Sequence, residues 1–234
     1  MALTADFELG VNGNDVLVAD PGSANAWDTR IVPGGTVKYS NTQKAHGALS
    51  AQFDHTASGS AKTLQWDTSL GTVTDHYGRF YMFVTAYPTG DTFILDANTV
   101  GVTNNARIRL LTTGALSTFS KSALLNTTTN LVPLNGWCRI EYHIVHSATV
   151  GMVELKLFNT MDSAVATETI TSAANNDTNA NANGILYGSP DGTGGAWIQY
   201  LDDIVANATS YPGPVSTPAA TVILPSWTRT RFNG

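Results

Sequence analysis

A strict alternation of apolar and polar residues between positions 138 and 144 is the feature that most constrains how this chain can fold. The apolar positions are Cys138, Ile140, Tyr142 and Ile144. The polar positions are Arg139, Glu141 and His143. Successive side chains of a strand point to opposite faces, so this period of two predicts a half-buried β-strand. A second alternating run follows at residues 153–157, and the two runs are predicted to form a hairpin.

Similar short runs recur along the chain between turn sequences such as Pro33-Gly34-Gly35 and Asn135-Gly136. Residues 80–84 are apolar throughout, which predicts a central strand covered on both faces, or a strand whose outer face meets another surface. Only 13% of the 234 residues are charged and 42% are hydrophobic, enough for one large core. No window has the periodicity of an amphipathic helix, so we expect an all-β sandwich or barrel with less than about 10% helix.

Charge and cysteine content exclude several classes of protein. The formal net charge of −6 argues against a nucleic-acid partner. Cys138 is the one cysteine, so an intramolecular disulfide is excluded. The first residues lack the basic and apolar parts of a secretory signal, and no apolar run approaches the length of a membrane span. We therefore expect folding in the cytoplasm and no membrane insertion.

The amino-acid composition changes after residue 209, where prolines become frequent. Proline favours extended backbone that does not pack on itself. The same stretch contains apolar and basic residues that a solvated tail does not need. Residues 1–209 are therefore expected to form the folded domain, and residues 210–234 an arm that docks on neighbouring subunits. The predicted docking residues are Val222, Ile223, Leu224, Trp227, Arg229, Arg231 and Phe232.

Several short sequence segments, spread over about residues 5–207, occur in an order that resembles the sequences of concanavalin A-like jelly rolls of the laminin-G-like type. They are DFELG (6–10), GALSA (47–51), YGRFYMFV (77–84), ARIRLLTTGALSTF (106–119), NGWCRIEYHIV (135–145), GMVELKLFN (151–159) and WIQYLDDIVAN (197–207). The resemblance implies two stacked antiparallel sheets, one of them curved, with a concave face that related domains use for glycans.

The composition and the start of the chain also resemble laminin-G-like proteins of tailed bacteriophages. That resemblance implies a non-enzymatic structural or decoration protein on the capsid or tail surface of a virion, bound to other virion subunits and forming a homo-oligomer. The alternative is a carbohydrate-binding module or receptor-binding adhesin whose partner is a cell-surface glycan. Exposed aromatic residues on the arm and on the sheet edges would favour the structural protein. Exposed aromatic residues on the concave face would favour the carbohydrate-binding module.

No catalytic residues are predicted. Glycanases on this fold place carboxylates as Glu-x-Asp-x-x-Glu on one strand, because hydrolysis needs two carboxyl groups about 5–9 Å apart. This sequence has no such run. Glu141 is interpreted as a strand partner of Arg139 or Lys156, and the chain is expected not to be an enzyme, with a glycan-cleaving enzyme as the weakest alternative.

Two sets of binding residues are predicted. In related jelly rolls a carboxylate of the closing strand joins the opening segment to hold calcium, which implies a structural Ca²⁺ site; the other interpretation of these acids is hydrogen bonding to adjacent loops. The calcium candidates are Asp6, Glu8, Asp202 and Asp203. Aromatic rings next to turns and loops are candidates for stacking on sugars. They are Tyr87 and Tyr187, together with Trp197, whose place at a strand start also suits the core.

Overall fold

The computed structural model describes residues 2–19, 22, 24–56, 61–100 and 103–215. These residues form fifteen strands and no α-helix. The strands are β1 (Leu3–Ala5), β2 (Thr29–Ile31), β3 (Thr36–Ser40), β4 (Ser50–Asp54), β5 (Lys62–Trp66), β6 (Asp75–Val84), β7 (Thr92–Thr99), β8 (Thr103–Leu110), β9 (Ala115–Ser120), β10 (Ala123–Leu131), β11 (Trp137–Val145), β12 (Met152–Phe158), β13 (Glu168–Thr171), β14 (Gly184–Ser189) and β15 (Ile198–Asn207).

The strands form two antiparallel sheets, which confirms the jelly-roll sandwich. Sheet I has the order β13-β12-β11-β6-β15-β4-β3, with β1 also paired to β15. Sheet II has the order β10-β9-β8-β7-β14-β5-β2. Strand β6 lies between β11 and β15, which confirms the central position predicted for residues 80–84.

The predicted hairpin is formed by β11 and β12, and its apolar residues face the core. All six are completely buried: Ile140, Tyr142, Ile144, Val153, Leu155 and Leu157. Burying one such side chain contributes about 1.5–3 kcal/mol. The polar residues of the same strands consequently lie on the outer face of sheet I.

A glycine in β6 lets the largest core side chains meet. A Cβ atom at Gly78 would overlap the Tyr142 hydroxyl. That hydroxyl lies 2.7 Å from the hydroxyl of Tyr187, a strand β14 residue of the opposite sheet. The two sheets are thereby joined by a polar contact inside an apolar core.

A bulge in β15 places two carboxyl groups outside the core. The pairing of β15 with β6 shifts between Asp202 and Val205, and Asp203 has a φ of 45°. Leu201 and Ile204 still face the core on either side. Asp202 and Asp203 therefore both lie on the outer side of sheet I, where the connection between β3 and β4 covers them.

Candidate functional site

The outer face of sheet I presents three rows of mostly polar side chains across β6, β11 and β12. Glu141 on β11 pairs in register with Arg79 on β6 and with Lys156 on β12. The adjacent row consists of Tyr81, Arg139 and Phe158, and the row on the other side of Tyr77, His143 and Glu154. We call these nine residues the polar face.

Glu141 and Arg139 form an almost completely buried ion pair in this face. Their side chains are 4% and 1% exposed, and Oε1 of Glu141 lies 3.0 Å from Nε of Arg139. The two atoms are not aligned for a hydrogen bond. Burial raises the pKa of Glu141, while Arg139, Lys156 and Arg79 oppose that rise. Glu141 thus contacts Arg139 on its own strand and lies in register with Lys156 on the next strand.

Arg139 also holds the connection between β12 and β13 over the sheet. Its guanidinium donates to the carbonyl oxygens of Met161 and Ser163, the second at 2.7 Å. The same group stacks on Phe158, with Cζ 3.7 Å from the ring centroid. This connection forms one wall above the polar face.

A chain of hydrogen-bonding groups leads from the bulge of β15 to the centre of the polar face. Oδ2 of Asp203 lies 2.6 Å from Nδ1 of His46, and Nε2 of His46 lies 3.2 Å from Oδ2 of Asp162. The Tyr81 hydroxyl donates to the other Asp162 oxygen at 3.0 Å. Burial raises the pKa of Tyr81 to about 12, so this hydroxyl stays protonated at neutral pH. Acid, imidazole and phenol groups thus converge beside Arg79, whose Cζ is 5.5 Å from the Tyr81 ring centroid.

Three of the predicted calcium ligands bind backbone N–H groups. Glu8 accepts hydrogen bonds from Ala48 and Leu49, and Asp6 accepts one from Glu8. Asp202 accepts bonds from Ala45, His46 and Asp203. Within the described ranges, no three or more His, Cys, Asp or Glu residues are grouped as a metal site. The hydrogen-bonding interpretation describes the observed contacts, and calcium binding stays a prediction.

Burial, together with the adjacent Asp203 carboxylate, raises the pKa of Asp202 to about 8. The backbone N–H donors of Ala45, Asp203 and His46 oppose this rise, because they favour the charged carboxylate. Burial also raises the pKa of Asp203, against the effects of His46 and Arg79.

Residues 211–215 cross the polar face directly after β15, and we call them the strap. The Gly213 carbonyl accepts a hydrogen bond from Nη1 of Arg79 at 2.6 Å, and the Val215 amide donates to the Tyr81 hydroxyl at 3.0 Å. The Tyr211 hydroxyl donates to Glu154, and Nζ of Lys156 lies 3.5 Å from the Tyr211 ring centroid. The strap therefore reaches from β6 across to β12 over the polar face.

Two clefts open on opposite sides of the strap. One, of about 520 Å³, is bounded by Arg79, Asp203, Asn207, Asp6 and Pro214. The other, of about 440 Å³, is bounded by Arg139, Glu141, Lys156, Phe158 and Pro214. Both volumes lie within the roughly 300–1,000 Å³ typical of ligand sites.

An aromatic row borders the polar face. Trp137, Phe83 and Tyr200 are in register across β11, β6 and β15, with neighbouring ring centroids 5.6 and 5.9 Å apart. Phe83 and Tyr200 are nearly buried, and Trp137 is half-buried.

Two of the three predicted sugar-stacking residues, Tyr187 and Trp197, are buried, which corrects the expectation that their rings are open to a ligand; for Tyr87 the role stays a prediction. Tyr187 is completely buried in the core, because β14 is an inner strand of sheet II. Trp197 is 3% exposed, and its ring stacks on His55. Tyr87 is half-buried, and its hydroxyl donates to the Val132 carbonyl at 2.7 Å.

The predicted docking residues, from Val222 to Phe232, lie outside the described residues. Among the described residues, no helix has the length and apolar character needed to cross a membrane.

No protein-family model and no curated protein matches this sequence. Solved structures share its fold. Endo-β-1,4-glucuronan lyase from the fungus Trichoderma reesei is similar over 88% of this chain and 95% of its own, with a TM-score of 0.61 and 12% identity. The marine PL-14 alginate lyase from Aplysia kurodai is similar over 88% and 98%, with a TM-score of 0.59 and 8% identity. The cellulose induced protein Cip1 is similar over 88% and 97%, with a TM-score of 0.57 and 19% identity.

These neighbours contradict the expectation of a non-enzymatic virion structural or decoration protein. Two of them are polysaccharide lyases, and none of the three points to a virion. The same two lyases contradict the expectation that the chain is not an enzyme. A carbohydrate-related role on this fold, expected above only as the alternative, agrees with them better.

Proposed function

We propose that this protein binds an acidic polysaccharide on the polar face of sheet I. The observation that supports this most directly is the placement of three cationic side chains, Arg79, Arg139 and Lys156, on neighbouring strands beside two open clefts. The polar face also contains the carboxylates Glu141 and Glu154, but its cations outnumber them, whereas the chain as a whole has a net charge of −6.

The chemistry of the face suits a uronate. Guanidinium and ammonium groups form their strongest hydrogen bonds with carboxylates, and each sugar ring of a polyuronate has one carboxylate. Lys156 is the most accessible cation of the second cleft, with 26% of its side chain exposed. The neighbouring aromatic row, with Trp137 half-buried, offers a surface on which a sugar ring can stack.

Titration calorimetry with tetrasaccharides of β-1,4-glucuronate and of alginate tests this function, with cellotetraose as the neutral control. We expect binding of an acidic tetrasaccharide and none of the neutral one. Replacing Lys156 by alanine should weaken binding about 10-fold or more, as expected when a charge-assisted bond is removed. Lys121→Ala is the matched control, because Lys121 follows β9 of the other sheet. Equal binding of cellotetraose, or an unchanged affinity of Lys156→Ala, would contradict the proposal.

A second candidate function is β-elimination of the bound polyuronate, favoured by the groups that converge at Tyr81. In this reaction a base takes the proton from the carbon next to the carboxylate, a carbon–carbon double bond forms, and the glycosidic bond at the next carbon breaks as its oxygen is protonated. His46 is our candidate for the base, Tyr81 for the proton donor, and Arg79 for the cation that stabilises the charge developing on the carboxylate. The substrate would have to displace Asp162, which contacts both Nε2 of His46 and the Tyr81 hydroxyl. The conjugated product absorbs ultraviolet light, so mixing the protein with glucuronan or alginate tests this candidate directly.

A further inference from the structure

We propose that the strap, residues 211–215, is a displaceable segment that occupies the middle of one continuous polysaccharide groove. This inference rests on the proposed function. Pro214 borders both clefts, and the strap lies between them over Arg79 and Lys156. Lifting the strap would join the clefts into a groove that crosses β15, β6, β11 and β12.

The backbone groups of the strap make hydrogen bonds with the polar face that the oxygen atoms of a bound sugar could make instead. The Gly213 carbonyl is an acceptor on Arg79, a position that a uronate carboxylate fills equally well. The Val215 amide is a donor to the Tyr81 hydroxyl, a position that a sugar hydroxyl can take. A bound polyuronate can therefore satisfy Arg79 and Tyr81 when the strap leaves them.

The ring of Tyr211 likewise occupies a surface on which the ring of a bound sugar would lie. Its ring meets Tyr77 edge-on at 5.3 Å and lies under the ammonium group of Lys156. While the ring stays there, it covers part of Lys156 and part of Tyr77. A ligand that reaches Lys156 from the second cleft therefore competes with Tyr211 for the same surface.

The composition of the strap makes it suited to release. Pro212 and Pro214 have no N–H group, so the strap cannot add to sheet I as a regular strand. Gly213 has a φ of 70°, a conformation that glycine adopts without cost, and no heavy atom of the described residues lies within 4 Å of a Cβ built there. A segment held by a few contacts opens more readily than a strand of the core.

If the strap must open first, the apparent affinity is reduced by the fraction of molecules that are open. Gly213→Ala strains the closed strap without touching the sheet, because the added methyl group meets no atom. It should increase the open fraction, and hence the affinity for an acidic tetrasaccharide, by about 5- to 30-fold. Gly71→Ala is the matched control: Gly71 has a φ of 69° and equally open surroundings, but lies between β5 and β6.

The decisive measurement is amide hydrogen exchange of Val215 by NMR in the full chain, with and without a saturating tetrasaccharide of glucuronate or alginate. We expect exchange at Val215 to accelerate when the ligand binds, and Gly213→Ala to bind more tightly while Gly71→Ala binds as the wild type. Ligand binding that leaves the Val215 amide protected would contradict the proposal that the strap opens, and so would an unchanged affinity of Gly213→Ala. Either result would leave the proposed function standing. Absence of binding to the wild type and both variants would instead reject the proposed function, and the strap with it.

Discussion

Nδ1 of His46 lies 2.6 Å from Oδ2 of Asp203, although 157 residues separate the two in the chain. The contact depends on the bulge of β15, which turns Asp203 outward at a positive φ. Strained backbone of this kind is concentrated at functional sites. The pair faces Asp162 and Tyr81, and so connects the bulge to the polar face.

The β-elimination candidate predicts that Asp203→Asn lowers the rate of product formation from an acidic polysaccharide by about 100-fold. The substitution removes the carboxylate that orients His46 and leaves the cations of the polar face in place. Tetrasaccharide affinity should therefore stay within a few-fold of the wild type. Asp177→Asn, at an exposed carboxylate, is the control. An unchanged rate in Asp203→Asn would show that the contact between His46 and Asp203 does not contribute to the reaction.

The buried histidine of β6 should make the protein sensitive to acid. His76 is completely buried, neither ring nitrogen has a hydrogen-bond partner in the part of the chain that the structure describes, and burial lowers its pKa to about 3. Between pH 6.5 and 3 the unfolded state therefore binds more protons at this site, so its contribution to stability is complete above pH 6.5 and is lost as the pH falls.

His76→Phe should accordingly become more stable than the wild type by a margin that grows by up to about 1.4 kcal/mol per pH unit below pH 6.5. Above pH 7 the margin should be constant, because the histidine is then neutral in both the folded and the unfolded state. Urea unfolding of the two proteins at several pH values measures it. A margin independent of pH would show that the pKa of His76 does not change on folding.

Gly78→Ala should destabilise the fold by about 1–3 kcal/mol. The new methyl group would overlap the Tyr142 hydroxyl and force it away from Tyr187. Gly136→Ala is the matched control, because a Cβ atom there has only ordinary contacts. Thermal unfolding of both variants provides the comparison, and equal melting temperatures would mean that the core adapts to the extra methyl group.

Glu8→Gln should cost about 1–3 kcal/mol of unfolding free energy. Both carboxylate oxygens of Glu8 accept backbone hydrogen bonds from Ala48 or Leu49, and the amide group of glutamine would turn a donor toward these donors. Denaturant unfolding gives the free energy directly. A decrease below about 0.5 kcal/mol, the range of ordinary surface changes, would mean that water replaces these bonds.

The third of the polar face that lies on β11 could be predicted from the sequence. Alternation over residues 138–144 separates Arg139, Glu141 and His143 from the core residues without any knowledge of other strands. The rows could not be predicted, because they require β6, β11 and β12 to lie side by side, and no local pattern specifies that β6 is the neighbour of β11.

Two features that the sequence did not predict correctly have a common physical cause. Tyr187 follows an Asn-rich stretch, which suggested an exposed rim, but its strand is inserted between β7 and β5, and pairing on both sides buries it. Asp203 and His46 meet through a bulge, which adds a residue to one strand without a sequence signal of its own. Position within a sheet, decided by long-range pairing, overrode local composition in both cases.

Strand β11 has a core face and an outward face, and its outward residues are separated from one another by inward ones. Substitutions at position 143 and at its neighbours in register can therefore accumulate without repacking the interior, whereas Arg139 and Glu141 must change together, because losing one leaves the other charge buried without its partner. A lineage with this arrangement is free to change the charge pattern of its outer surface, and hence, under the proposed function, the polymer it recognises, while its fold stays the same. Specificity on such a surface can diverge much faster than architecture.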